Sequence, residues 1–78
     1  MAVLLHTKAE YTEFLTNPAN QGKLMVIIFH ASWCPPCESI TPTFDELAVE
    51  YAGKACFGKI DIDVNAETAG TCKIRAMP

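Results

Sequence analysis

Seventy-eight residues, 50% of them apolar and 19% charged, have the composition of one small soluble globular fold. A chain of this length buries only about 60–65% of the surface that its unfolded form exposes, so its core is modest and its stability marginal. The formal charge is −3 and the six basic residues (Lys8, Lys23, Lys54, Lys59, Lys73, Arg75) are scattered, which argues against nucleic acid or an anionic membrane as a partner.

The start, "MAVLLH", has five apolar residues but no basic lead and no cleavage signal, so no secretory leader is expected. No other segment approaches the length needed to span a bilayer. The expected compartment is therefore the reducing cytosol, where four cysteines suit a redox or metal site better than a disulfide framework.

Residues 2–6, "AVLLH", read as a short edge strand. Thr7 then stands at a helix cap with Glu10 three residues on, the capping-box spacing. Tyr11, Phe14 and Leu15 give that helix an inner face, and Asn17-Pro18 ends it. Residues 23–31, "KLMVIIFHA", form a continuous apolar run without alternation, the pattern of a strand covered on both faces, as in the middle of a parallel sheet. From Cys37 a helical period takes over, with Ile40, Phe44, Leu47, Ala48 and Tyr51 on one stripe and Glu38, Asp45, Glu46 and Glu50 as its solvated side. Pro42 should kink this helix and Gly53 should stop it. Residues 56–63, "CFGKIDID", are a third strand interrupted by Gly58 and Lys59, and residues 65–70 a short helix capped by Asn65. The order β-α-β-α-β-α predicts an α/β fold with right-handed crossovers, a parallel sheet and helices on both faces. Sites in such sheets form where strands end and helices begin.

"ASWCPPC" (residues 31–37) occupies one such junction. Its cysteines have three readings: a redox pair, half of a metal site, or buried packing. The redox reading has the stronger physical case. Two intervening residues let the sulfurs bond without dismantling the helix, and the helix start favours a thiolate at Cys34. Cys34 would attack a target disulfide, and Cys37, one turn further in, would resolve the mixed disulfide. Pro35 and Pro36 each remove a backbone donor, leaving the Cys37 N–H, and they should delay the helix start to about Pro36. The pair supplies two metal ligands of the usual four, so a metal or iron–sulfur reading needs a dimer. Cys56 is expected to be a buried bystander at a strand start, and Cys72 a more exposed one. His30 reads as a strand-end residue.

"WCPPC" after an apolar strand, Pro42 five residues past Cys37, "DELAVEYAGK", "KIDIDVN" and the final "KIRAMP" together resemble the thioredoxin family over essentially the whole chain. The resemblance implies a thioredoxin-like fold and a protein disulfide reductase, with Cys34 as nucleophile and Cys37 as resolving thiol. It implies no cofactor or metal. Its expected partners are protein disulfides and a thioredoxin-reductase-type electron donor. Trp33, Pro35, Pro36, Met77 and Pro78 are implied to border the substrate groove, Pro78 as the family's cis-proline. Lys59 matches a lysine that accompanies a buried aspartate, but that aspartate's place holds Ile28, so the proton of the resolving thiol must leave by water or another route. Pro-Pro between the cysteines is similar to tryparedoxins, nucleoredoxins and some bacterial membrane-anchored relatives, where most thioredoxins have Gly-Pro. The resemblance also implies a single domain over residues 1–78 that lacks the family's C-terminal hairpin and final helix. The strand at residues 23–31 would then have an open apolar edge, and a homodimer or higher oligomer is expected to pair it. The alternative is a catalytically impaired chain that acts through association or carries a metal or cluster.

Overall fold

In the computed structural model, residues 2–72 are described, and they build three parallel strands and three helices. The chain runs β1 (Ala2–Leu4), α1 (Lys8–Thr16), a 3-10 turn (Pro18–Asn20), β2 (Leu24–His30), α2 (Pro35–Glu50), β3 (Ala55–Asp61) and α3 (Ala66–Thr71). The element order read from the sequence is therefore the observed one.

Local chemistry sets most of the boundaries. Thr7 is extended at the α1 N-cap, and its Oγ1 accepts the Glu10 N–H at 3.1 Å. Glu10 reaches back to accept from the His6 N–H at 3.1 Å and the Thr7 hydroxyl at 3.3 Å, a capping box shifted one residue outward. Asn17 closes α1, and its side chain accepts from Ala19 N–H to start the 3-10 turn. Gly53, at φ 85°, makes the left-handed turn that leads from α2 towards β3. Asn65 caps α3 by accepting from Thr68 N–H at 3.3 Å, while its Nδ2 donates to the Leu5 carbonyl at 3.1 Å. One buried amide thus ties α3 to the end of β1.

The sheet order is β1-β3-β2, with Leu4 opposite Lys59 and His30 opposite Asp61. This corrects the placement of the apolar run: β3 is the middle strand, and β2 pairs only with β3 among the described residues. The run is continuous because both faces of β2 are used. Met25, Ile27 and Phe29 pack on the α1 side with Leu5, Phe14 and Ile60, and Val26 and Ile28 pack on the α2 side with Phe44, Ala48 and Phe57. Phe44 and Phe57 meet edge to face, with centroids 5.4 Å apart.

Three further expectations change. The buried line of α2 is Cys37, Phe44 and Ala48, whereas Ile40, Leu47 and Tyr51 from the expected stripe are exposed. The expected stripe followed hydrophobicity, but the helix faces the sheet through its smaller and aromatic residues. Gly58 does not interrupt β3; a Cβ there would lie 2.9 Å from Leu5 Cδ1, so glycine leaves room for the Leu5 side chain on the α1 face. Lys59 does not interrupt it either, because its side chain turns to the α2 face and pairs with Asp45. Pro42 lies inside α2, which continues past it to Glu50.

Candidate active site

Cys34 and Cys37 sit at the carboxyl end of β2, where α2 begins, and form a disulfide with Cα atoms 5.3 Å apart. Cys34 is the helix N-cap, extended at φ −110° and ψ 98° as a residue before proline should be. Pro35 and Pro36 fill the first two helical positions, so the helix starts at Pro35, one residue earlier than expected. The prolines do not delay the helix because the N–H groups they lack would be unpaired there in any case.

The first free N–H is that of Cys37, and it points to the Cys34 sulfur at 3.3 Å and the Cys34 carbonyl at 3.1 Å. The sulfur therefore stands where a capping serine or aspartate would put its oxygen. The same carbonyl accepts from Glu38 N–H at 3.3 Å, while Cys34 N–H donates to the Ala31 carbonyl at 3.2 Å. A thiolate at Cys34 would gain from the positive end of α2 and from this one aimed donor. Restoring a donor at position 35 should strengthen the effect. Pro35→Gly is expected to move the Cys34 thiolate midpoint downward, followed by thiolate absorbance in a pH titration; an unmoved midpoint refutes the account.

Both sulfurs are enclosed. Cys34 is 4% exposed and Cys37 1%, packed with Ala31 and Ile62. In the disulfide form Cys34 is therefore enclosed, with the exposed Trp33, Pro35 and Pro36 on either side of it in sequence. Cys37 lies one helical turn deeper, which suits a resolving thiol. Trp33, Pro35 and Pro36 are all at the surface around the pair, and Met77 and Pro78 lie outside the described residues. Lys59, opposite Ile28 in the β2–β3 register, has its amine on Asp45. Ile28 itself is part of the apolar layer under α2, so the place that the family gives to a carboxylate is a hydrocarbon contact here.

The sequence reading missed the segment that follows β3. Asp61 Oδ1 accepts from Asp63 N–H at 2.9 Å and Val64 N–H at 3.4 Å, shaping a tight turn. From this turn Ile62 packs against the cysteine pair and Asp63 accepts the Trp33 indole N–H at 2.8 Å. The signal was available: neighbouring parallel strands end on one side, so "IDID" at the end of β3 must flank whatever follows β2.

The remaining cysteines are apart from this site, both half-buried. Cys56 donates to Asn20 Oδ1 at 3.1 Å, and Cys72 donates to the Tyr11 hydroxyl at 3.5 Å. The Cys72 contact, with burial added, raises the Tyr11 pKa above the usual phenol value. Among the described residues, no three Cys, His, Asp or Glu side chains gather as metal ligands, and no helix is long and apolar enough to cross a membrane.

Known proteins resemble this chain in sequence and fold. The sequence model of the family described as thioredoxin matches residues 2–78. A thioredoxin from Geodia cydonium is 45% identical over 78 residues, covering all of this chain and 71% of that protein. Thioredoxin H2-1 of Oryza sativa subsp. japonica is 43% identical over 97% of this chain, which spans 54% of its length. Among solved structures, the X-ray structure of Fasciola hepatica thioredoxin superposes with a TM-score of 0.89 at 37% identity, covering 97% of this chain and 70% of that one. Reduced Schistosoma mansoni thioredoxin pre-protein superposes at 0.86 and 39% identity, covering 99% of this chain and 70% of that one. The chain spans between 54% and 71% of the length of these relatives and structures.

Proposed function

This chain belongs to the thioredoxin family, and from that premise we propose that it is a thiol–disulfide oxidoreductase that reduces protein disulfides through Cys34 and Cys37. The observation that carries the reading is the pair itself: two sulfurs within bonding reach at a helix start, the first in the cap position and the second behind it.

The cycle balances as follows. The Cys34 thiolate attacks one sulfur of the target disulfide, forming a mixed disulfide and releasing the first target thiolate. Cys37 then loses its proton and attacks the Cys34 sulfur, which forms the Cys34–Cys37 bond and releases the second target thiolate. Two electrons pass to the target, which takes up two protons as its thiols form. An external dithiol or a reductase-type partner returns two electrons to the chain. Trp33, Pro35 and Pro36, exposed around the pair, would meet the target. The working compartment on this reading is the reducing cytosol, which also suits the half-buried free thiols of Cys56 and Cys72.

The direct test is insulin reduction with a dithiol reductant. Precipitation of the insulin B chain faster than the reductant blank is expected; a rate equal to the blank overturns the proposal.

We also propose self-association of the 78-residue polypeptide. Among the described residues, the outer edge of β2 has no strand beside it, and Leu24 at its start is 71% exposed. Sedimentation at tens of micromolar should give a mass above that of one chain, and a compact monomer would remove this proposal.

A further inference from the structure

The resolving thiol has a proton to lose and little around it that can take one. Cys37 is 1% exposed, and Ala31, Cys34 and Ile62 share its layer. In the mixed disulfide the Cys34 sulfur is bonded to the target and is no base. The Thr41 hydroxyl, one turn on, donates to the Cys37 carbonyl at 2.8 Å.

The backbone brings one titratable side chain to this place. Val26 and Ile28 lie on the α2 face of β2, so the alternation of the strand puts His30 on that face as well. α2 runs back over β2: Phe44 and Ala48 share a layer with Val26 and Ile28, and Cys37 shares one with Ala31. His30 is thus on the rung that the first turn of α2 covers. It is partly buried, and its imidazole has no hydrogen bond or ion pair among the described residues. The charged groups about it are otherwise engaged or exposed. Asp61, opposite His30 in the register, spends Oδ1 on the N–H groups of Asp63 and Val64. Lys59, one step lower on the same face, pairs with Asp45 of α2. Asp63 accepts from Trp33, and Glu38 is exposed.

We infer that His30 is the general base for Cys37. The inference rests on the oxidoreductase reading above and goes beyond it in assigning the proton of the resolving step. In that step the Cys37 proton passes to an imidazole nitrogen, the Cys37 sulfur bonds to the Cys34 sulfur, and the bond from Cys34 to the target breaks. The electron pair leaves on the target sulfur. The imidazolium then gives its proton to that thiolate or to water, which restores the neutral ring. Imidazole suits this task because it gains and loses a proton near neutrality.

The test uses the reduced full chain in stopped flow with a small aromatic disulfide whose thiolate is coloured. The first equivalent of thiolate reports attack by Cys34, and the second reports resolution by Cys37. In the wild type, the second-phase rate should rise and level off across the neutral range in which imidazoles lose their protons. In His30→Gln, the second phase should slow at least about tenfold at neutral pH, while the first stays within about twofold. Its rate should also keep climbing into the alkaline range where thiols ionise unaided. A wild-type second phase without the neutral rise overturns the inference, with no variant needed. So does a His30→Gln second phase of unchanged rate and profile, or one that slows only in step with the first, which would make His30 a packing residue. A wild type that releases no thiolate overturns the oxidoreductase reading and this inference with it, whereas a normal first phase confines the failure to His30.

Discussion

Cys34→Ser is expected to bring insulin reduction down to the reductant background, a loss of at least about 10³-fold, because a hydroxyl at this position is not a competent nucleophile towards sulfur. The same change should leave the fold intact. A serine oxygen at position 34 can accept the Cys37 N–H as the sulfur does, and serine is among the preferred caps. Cys37→Ser should fail differently. Cys34 still attacks, but the Cys34–target bond has no internal thiol to break it, so a covalent adduct should accumulate and survive on a non-reducing gel. The pair of outcomes assigns the roles. If Cys34→Ser retains activity above the blank, or if it is the variant that accumulates the adduct, the assignment of nucleophile and resolving thiol is wrong.

Ile60→Ala should be the most damaging single substitution outside the site. Ile60 is fully buried on the central strand, in the layer with Leu5 and Phe14. Truncating such a side chain typically costs about 2–5 kcal/mol, from lost transfer energy and the cavity left behind. A domain of this length has only about 4–12 kcal/mol of total stability, so the variant is expected to lose a large share of it, with a clearly lower urea midpoint. Ile60→Val keeps most of the volume and should cost only about 0.5–1.5 kcal/mol. Urea titrations followed by circular dichroism check both. An Ile60→Ala midpoint close to that of the wild type would mean that Ile60 is not at the centre of the core.

Much of this architecture could be read before any coordinates, because its punctuation is local. Thr7 with Glu10, Asn17 before Pro18, Gly53 and Asn65 each act within a few residues, and each marks its boundary in the structure. The cysteine pair was legible for the same reason: its spacing, the preceding apolar strand and the following helix are contiguous. What could not be read depends on contacts between distant segments. An apolar run such as that of β2 reports that two faces are covered, but it does not say which strands lie at the edges, and the centre fell to β3. Periodicity gave α2 a stripe through Ile40 and Leu47, but the sheet selected Cys37, Phe44 and Ala48, since packing against Phe57 and Ile62 decides how the helix is rolled. Gly58 looked like a break because its partner, the Leu5 methyl, is more than fifty residues away in sequence. The parallel order could have placed residues 60–63 beside the redox loop, but an acidic residue in a polar turn has no local mark of an indole partner, so the bond from Trp33 to Asp63 could not be read.

The pairing of β2 with β3 has a consequence for how such a site can vary. His30 lies opposite Asp61, and the next rung joins Ile62 to the His30 carbonyl. The redox loop and the turn that faces it thus continue two adjacent strands from a single rung, with no hinge between them. A shift of one residue between those strands would carry Asp63 about 3.3 Å along the sheet and turn Ile62 to the opposite face. Trp33 would lose its anchor and the cysteines their apolar backing in the same step. The alignment of the catalytic mouth is therefore indexed by the sheet, and it can be tuned by changing side chains but not by sliding the segments that bear them.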